Sequence, residues 1–198
     1  MRFKINLDLD KINIKKIAEE SARQVNKLLG NNNKWHDLQV KPYTCSLIKG
    51  GKKVDDDIVF NDIPAFFYIN TEDSEVITKI MSNISLEFEV VNIKLFSGFN
   101  LFSVKNVVYN KSGEKLFITE KNKKDFISYV KSKYLVDIEI LKINNVLVSY
   151  KNGGKLPTTN LLIKCGGGKL VSNLLESGIG GSCSIGFGHI EPINSNKI

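Results

Sequence analysis

The sequence is poor in the residues that bind metals or form cross-links: its 198 residues include three cysteines and two histidines. Cys45, Cys165 and Cys183 are odd in number and far apart, with no CxxC and no Cys/His pairing. That argues against a disulfide framework and against a zinc site, and leads to the expectation of a reducing, cytoplasmic setting. No run approaches the ~18 consecutive apolar residues of a membrane span. The start, Met1-Arg2-Phe3-Lys4, alternates charge and hydrophobe and lacks the apolar core of a signal peptide, so neither leader nor membrane contact is expected. With 42% hydrophobic and 25% charged residues the composition is that of a globular protein of one large or two small domains.

What is present in excess is lysine, unevenly placed. Residues 1–99 hold 14 Lys+Arg against 14 Asp+Glu, whereas residues 100–198 hold 14 Lys against 7 Asp+Glu, so the whole net charge of +7 lies in the second half. A basic surface is the footprint of a phosphate-backbone binder, and lysine used simply for solubility accounts for the charge equally well.

Hydrophobic periodicity gives the architecture. Phe3, Ile5, Leu7 and Leu9 alternate with Arg2, Lys4, Asn6 and Asp8, the pattern of a half-buried strand. Asp10 or Asn13 can cap a helix whose apolar face runs from Ile14 to Leu29 and which Gly30 ends. Extended stretches follow at 40–48, 58–60 and 63–69, then a helix over 71–82 and a strand over 86–90. The order strand, helix, strand, strand, helix, strand is the split βαβ pattern. The second half restarts with strands at 101–109 and 115–119, a helix over 123–134, extended segments at 138–150 and 161–165, a short helix at 170–175 and a strand near Ile190. The expectation is an α+β protein of two tandem ferredoxin-like (RRM-like) βαββαβ domains, 1–97 and 98–198, hinged near Ser97-Gly98.

Two segments carry chemistry. The first is the run Gly178-Ile179-Gly180-Gly181-Ser182-Cys183-Ser184-Ile185-Gly186-Phe187-Gly188. Such a run can follow another backbone closely or aim several N–H groups at one anion. Gly166-Gly167-Gly168-Lys169 is not a Walker A loop, since Ile163 and Leu170 stand where a glycine and a Ser or Thr are needed. The run 178–188 is not a dinucleotide loop either, because Cys183 takes the third glycine's place and no βαβ unit opens there. The second segment is Trp35-His36-Asp37 with Lys41-Pro42-Tyr43-Thr44-Cys45-Ser46-Leu47. RNA supplies its own nucleophile, the 2′-OH, so cleavage needs a proton acceptor, a proton donor and positive charge on the phosphorane. A histidine titrating near pH 6.5 serves either proton role, and lysine stabilises the charge. Lys41, Lys49, Lys52 and Lys53 surround this segment. Tyr43 can donate a hydrogen bond, stack a base or pack in the core. Trp35 reads as a packing anchor, His189 as a structural residue or an RNA contact, and Asp55-Asp56-Asp57 as a solvated turn rather than a metal cluster.

Taken together, the two segments resemble those of the CRISPR repeat-processing endoribonucleases in the RAMP superfamily. Gly178, Ile179, Gly180, Gly186, Phe187 and Gly188 match the glycine signature, and His36, Tyr43, Thr44, Cys45 and Ser46 match the histidine and the strand after it. The resemblance implies a metal-independent, cofactor-free endoribonuclease that cuts precursor CRISPR RNA within its repeats, leaving a 5′-hydroxyl and a 2′,3′-cyclic or 3′-phosphate. It implies His36 as a catalytic group, to which the chemistry of the segment adds Lys52 and Tyr43. RNA contacts would come from Lys41, Ser46, Lys53, Gly178, Gly180, Gly181, Ser182, Ser184 and Gly186. At Gly181-Ser182-Cys183 the family often has a charged or amide side chain, so backbone contact is what remains there. Repeat RNA is the implied partner, with a CRISPR effector complex and a homodimer as further assemblies. The alternatives are a non-catalytic RNA-binding subunit on the same fold and an RNA-binding module outside CRISPR systems.

Overall fold

The computed structural model describes residues 1–30, 34, 35, 38, 41–83, 87–91, 100–150, 154–166, 174, 175, 177–183 and 186–193. The chain divides into two compact units, one of residues 1–92 with 149–154 and 184–186, the other of residues 93–148, 155–183 and 187–198.

In chain order the first unit contains β1 (Arg2–Leu7), β2 (Lys11–Asn13), α1 (Ile17–Leu29), β3 (Tyr43–Cys45), β4 (Lys52–Val54), β5 (Asp57–Val59), β6 (Ala65–Thr71), α2 (Ser74–Met81) and β7 (Phe88–Val90). The strands β3-β6-β1-β7 form one antiparallel sheet in that order, so the first strand lies between the third and fourth of the βαββαβ unit. The alternation of β1 decides which face is buried. Phe3 and Ile5 are fully buried with Phe67 and Ile69 of β6, against Val25 and Leu29 of α1 and Val76 and Ile80 of α2. Each such side chain contributes about 1.5–3 kcal/mol on burial. Asn13 accepts from Lys15 N at 3.0 Å and starts a short 3₁₀ turn ahead of α1. Asp73 caps α2 by accepting from Glu75 N and Val76 N, both at 3.0 Å.

One part of this unit departs from expectation. The stretch 52–54, outside the extended stretches read from the sequence, is a strand pairing with β5, which also pairs β2, giving a small three-stranded sheet β2-β5-β4. All three residues of β4 are exposed, so it has no apolar alternation to betray it. The acidic turn beside it is structural: Asp57 accepts from Asn13 Nδ2 at 3.1 Å and Asp56 pairs with Lys15 at 3.7 Å.

The second unit contains β8 (Asn100–Val107), β9 (Tyr109–Lys111), β10 (Glu114–Leu116), α3 (Lys123–Tyr134), β11 (Ile138–Tyr150), β12 (Gly154–Cys165) and β13 (His189–Pro192). Its sheet, β11-β12-β8-β13, repeats the strand order of the first. Phe102, Val104, Phe126, Val130, Ile163 and Ile190 are fully buried in its core. The strand β12 is longer than the segment 161–165 read from the sequence, where Pro157 argues against a strand. Pairing with β8 begins only at Thr159↔Val107, so Pro157 lies past the end of that ladder. Of the expected helix over 170–175, Leu174 and Leu175 are described, both buried, and the hinge at Ser97-Gly98 lies outside the described residues. Among the described residues no helix is long and apolar enough to cross a membrane.

Candidate functional site

The described residues of the second sequence segment, Trp35 and 41–47, belong to the first unit, after α1 and through β3. Trp35 is buried in the core at 3% exposure. The Lys41 ammonium donates to Trp35 O at 2.5 Å and to Leu38 O at 3.3 Å, tying together the two described residues that bracket 36 and 37. The segment after Lys41 is anchored through Thr71, whose hydroxyl donates to Pro42 O at 2.8 Å and accepts from Asp73 N at 3.0 Å. Lys34 pairs with Glu75 at the start of α2 and sits 5.6 Å from the Trp35 ring centre. Lys34, Trp35, Leu38, Lys41, Pro42 and Asp73 line a shallow recess of about 550 Å³. It is a concave surface with two ammonium groups and the Asp73 carboxylate among its lining residues. His36 lies outside the described residues.

The other candidates of this unit are placed differently from one another. Tyr43, expected among the catalytic groups, is 4% exposed and packs in the core; burial, and next the Cys45 thiol, push its phenol above its ordinary value. That makes it a wall of the core and a poor proton donor or acceptor at neutral pH. Ser46, expected to contact RNA, is buried, and its hydroxyl accepts from Tyr68 N and donates to Leu47 O, both at 2.9 Å. The side chain is consumed in holding β3 to β6. Lys52 lies on β4 and pairs with Asp62 at 2.6 Å, and Lys53 is exposed beside it. Sequence proximity thus grouped Lys41 with Lys52; of the two, Lys41 is the one hydrogen-bonded to Trp35 and Leu38. Lys34 and Asp73 of the recess were not anticipated; no spacing in the sequence links the start of α2 to the turn after α1.

The glycine run is described at 178–183 and 186–188, and Ser184 lies outside the described residues. Within the second unit it is a docked element. Gly178 N donates to Leu174 O, Ile179 N to Gly188 O, Gly181 N to Val108 O, each at 2.9 Å, and Gly188 N to Lys105 O at 2.8 Å. These four N–H groups are taken by backbone carbonyls, the close backbone packing that was one of the two readings of the run. Glycine is required by close approach: a Cβ on Gly180, at φ +99°, would lie 2.6 Å from Val108 O, and one on Gly188, at φ +64°, 1.9 Å from Ile179 O. Gly186, counted with the first unit, is held equally tightly, with a Cβ meeting Leu47 Cδ2 at 2.5 Å. Among the loop's described residues the exposed one is Ser182. Its thiol neighbour Cys183 has its pKa pushed up to about 12 by burial. The strand edge that receives the loop is shaped by Asn106, at φ +52°, whose N–H donates to Asn160 Oδ1 at 2.8 Å. His189, at 1% exposure, is a core residue of β13; between the two roles read for it, burial selects the structural one.

At the level of sequence, no protein-family model and no curated protein matches the chain. Solved structures share its fold along the whole length. A structure described as an RAMP protein binding different RNA substrates is 17% identical with a TM-score of 0.68, covering 98% of this chain and 100% of that one. The product of a Cas6-related gene from Pyrococcus furiosus is 15% identical with a TM-score of 0.63, over 98% and 99% of the two chains. A CRISPR-associated protein Cas6 is 16% identical with a TM-score of 0.64, again over 98% and 99%. The fold is therefore that of the RAMP and Cas6 structures: α+β, with ferredoxin-like sheets.

Proposed function

We propose that this protein is a Cas6-type endoribonuclease that cuts precursor CRISPR RNA within its repeats without a metal ion. The observation that carries the reading is Lys41, which lines the recess and is hydrogen-bonded to Trp35 and Leu38, the described residues on either side of His36 in sequence, in a chain with the fold of the Cas6 structures. The 2′-oxygen attacks the adjacent phosphorus as His36 takes its proton. The P–O5′ bond breaks, and the leaving 5′-oxygen takes up a proton. The products are a 5′-hydroxyl and a 2′,3′-cyclic phosphate, which water opens to a 3′-phosphate. Lys41 supplies the positive charge that the phosphorane needs, in place of Lys52. The first unit carries this chemistry, and the lysine-rich second unit holds the repeat RNA, with the boundary near residues 97–98. Such a role belongs in the cytoplasm, with CRISPR transcripts, and self-association or entry into an effector complex is read from the size of the RNA-bound particle.

A second reading, a non-catalytic RNA-binding subunit, draws support from Tyr43 and Lys52, two of three expected catalytic side chains that are engaged elsewhere. Incubating a labelled transcript of the cognate repeat with the protein in EDTA separates the two: cutting at one phosphodiester supports the nuclease, and binding without cutting supports the subunit.

The assignment of the cation has its own test. Lys41→Ala is expected to slow single-turnover cleavage by about 10²-fold, the usual cost of a lost charge-stabilising donor. Lys52→Ala removes only an exposed ion pair and is expected to change the rate less than about fivefold. The reverse order would return the role to Lys52.

A further inference from the structure

The strand β3 is three residues long, and its ladder with β6 begins at Tyr43↔Thr71. Lys41 and Pro42 come just before that ladder, and Pro42 has no N–H with which to extend it. A side chain extends it instead. The Thr71 hydroxyl donates to Pro42 O at 2.8 Å and accepts from Asp73 N at 3.0 Å. One group thus carries the attachment of β3 to β6 a residue further and holds the residue that caps α2. Thr71 is 0% exposed, and its own N–H donates to Met1 O at 2.9 Å. A buried hydroxyl that both donates and accepts is held in one orientation. Both residues it holds, Pro42 and Asp73, line the recess with Lys41.

We propose that Thr71 is a positioning residue for RNA cleavage: by holding Pro42 O and Asp73 N, its hydroxyl fixes where the Lys41 ammonium stands at the recess. The proposal rests on the cation role given to Lys41 above. A lysine is a point charge on a flexible four-carbon stem, so its place is set at both ends. At the tip, the ammonium donates to Trp35 O and Leu38 O. At the root, Lys41 precedes a proline, which pushes its backbone to the extended region, and Thr71 pins the carbonyl of that proline. A charge that stabilises a phosphorane works by standing in place beforehand, and a small displacement is costly. Thr71 is buried, so it meets no RNA and acts through Lys41 alone.

The test is a double-mutant cycle of Thr71→Val and Lys41→Ala in the full chain. It is read by single-turnover cleavage of the repeat transcript in EDTA and by equilibrium binding of the same RNA blocked at the 2′ position. Valine keeps the shape of threonine and removes the hydroxyl. Thr71→Val is expected to slow cleavage about 10- to 100-fold. RNA affinity is expected to hold, because no charge is removed. Thr71→Ser, which keeps the hydroxyl, is expected to cut at close to the wild-type rate. In the Lys41→Ala background, Thr71→Val is expected to slow the reaction no further, since the group it acts through is gone. If Thr71→Val does not fold by circular dichroism, Thr71→Ala takes its place in the cycle. An equal loss in both backgrounds makes Thr71 a structural residue and overturns the proposal. So does a loss that Thr71→Ser does not rescue. Thr71→Val cutting at the wild-type rate beside a slow Lys41→Ala removes the positioning role and leaves the proposed function standing. Wild-type protein that binds the transcript without cutting it removes both.

Discussion

Replacing His36 with alanine is expected to slow cleavage of the repeat by about 10²–10⁴-fold, the usual cost of one acid–base group. RNA affinity is expected to hold, because a neutral imidazole brings no charge to the phosphate backbone. Rate and affinity are therefore measured separately, by single-turnover cleavage and by equilibrium binding of a substrate blocked at the 2′ position. A variant that cuts at the wild-type rate removes His36 from the chemistry. A variant that loses binding in proportion to rate makes it an RNA contact.

The largest effect on stability is expected at Gly188. An alanine Cβ there meets the Ile179 carbonyl oxygen at 1.9 Å, and the backbone sits at φ +64°. The clash is with backbone on both sides, so the strand entry and the loop must separate to relieve it. Strain at a left-handed residue together with a backbone collision is expected to cost about 3 kcal/mol or more, a large fraction of the 5–15 kcal/mol that holds a domain folded. Gly113 is the control. It has φ +86° with nothing within 4 Å of the added Cβ, so Gly113→Ala carries the conformational penalty alone, about 1 kcal/mol. Urea denaturation of both variants distinguishes packing from conformation: equal midpoints would mean that the loop is not the docked element described above.

The fold was legible where burial is one-sided. The alternation of Phe3 and Ile5 announced β1, and the helical spacing of Val25, Leu28 and Leu29 announced α1, because in both the core face repeats with the period of the backbone. It was not legible where pairing is decided by a distant partner. The exposed strand β4 has no pattern of its own, and β12 passes through Pro157 because the β8 ladder has already ended there. The candidate site divides in the same way. Gly178 to Gly188 declared a tight backbone path in sequence, yet whether its N–H groups face an anion or Val108 and Lys105 depends on a strand some seventy residues earlier. Tyr43 was open between core and cleft until its neighbours Trp35 and Phe67 were in place. Lys41 and Lys52 looked equivalent as neighbours of one motif, and only the folded chain gives Lys41 the carbonyls of Trp35 and Leu38 and Lys52 the carboxylate of Asp62.

The account turns on the RNA supplying its own nucleophile. The most direct measurement uses a repeat substrate with a single 2′-deoxy sugar immediately before the scissile phosphate, compared with the all-ribose substrate in EDTA. The deoxy substrate is expected to bind with unchanged affinity and to remain uncut while the ribose substrate is cleaved to a 5′-hydroxyl product. Cleavage of the deoxy substrate at the normal rate and position would contradict the mechanism and, with it, the role given to His36.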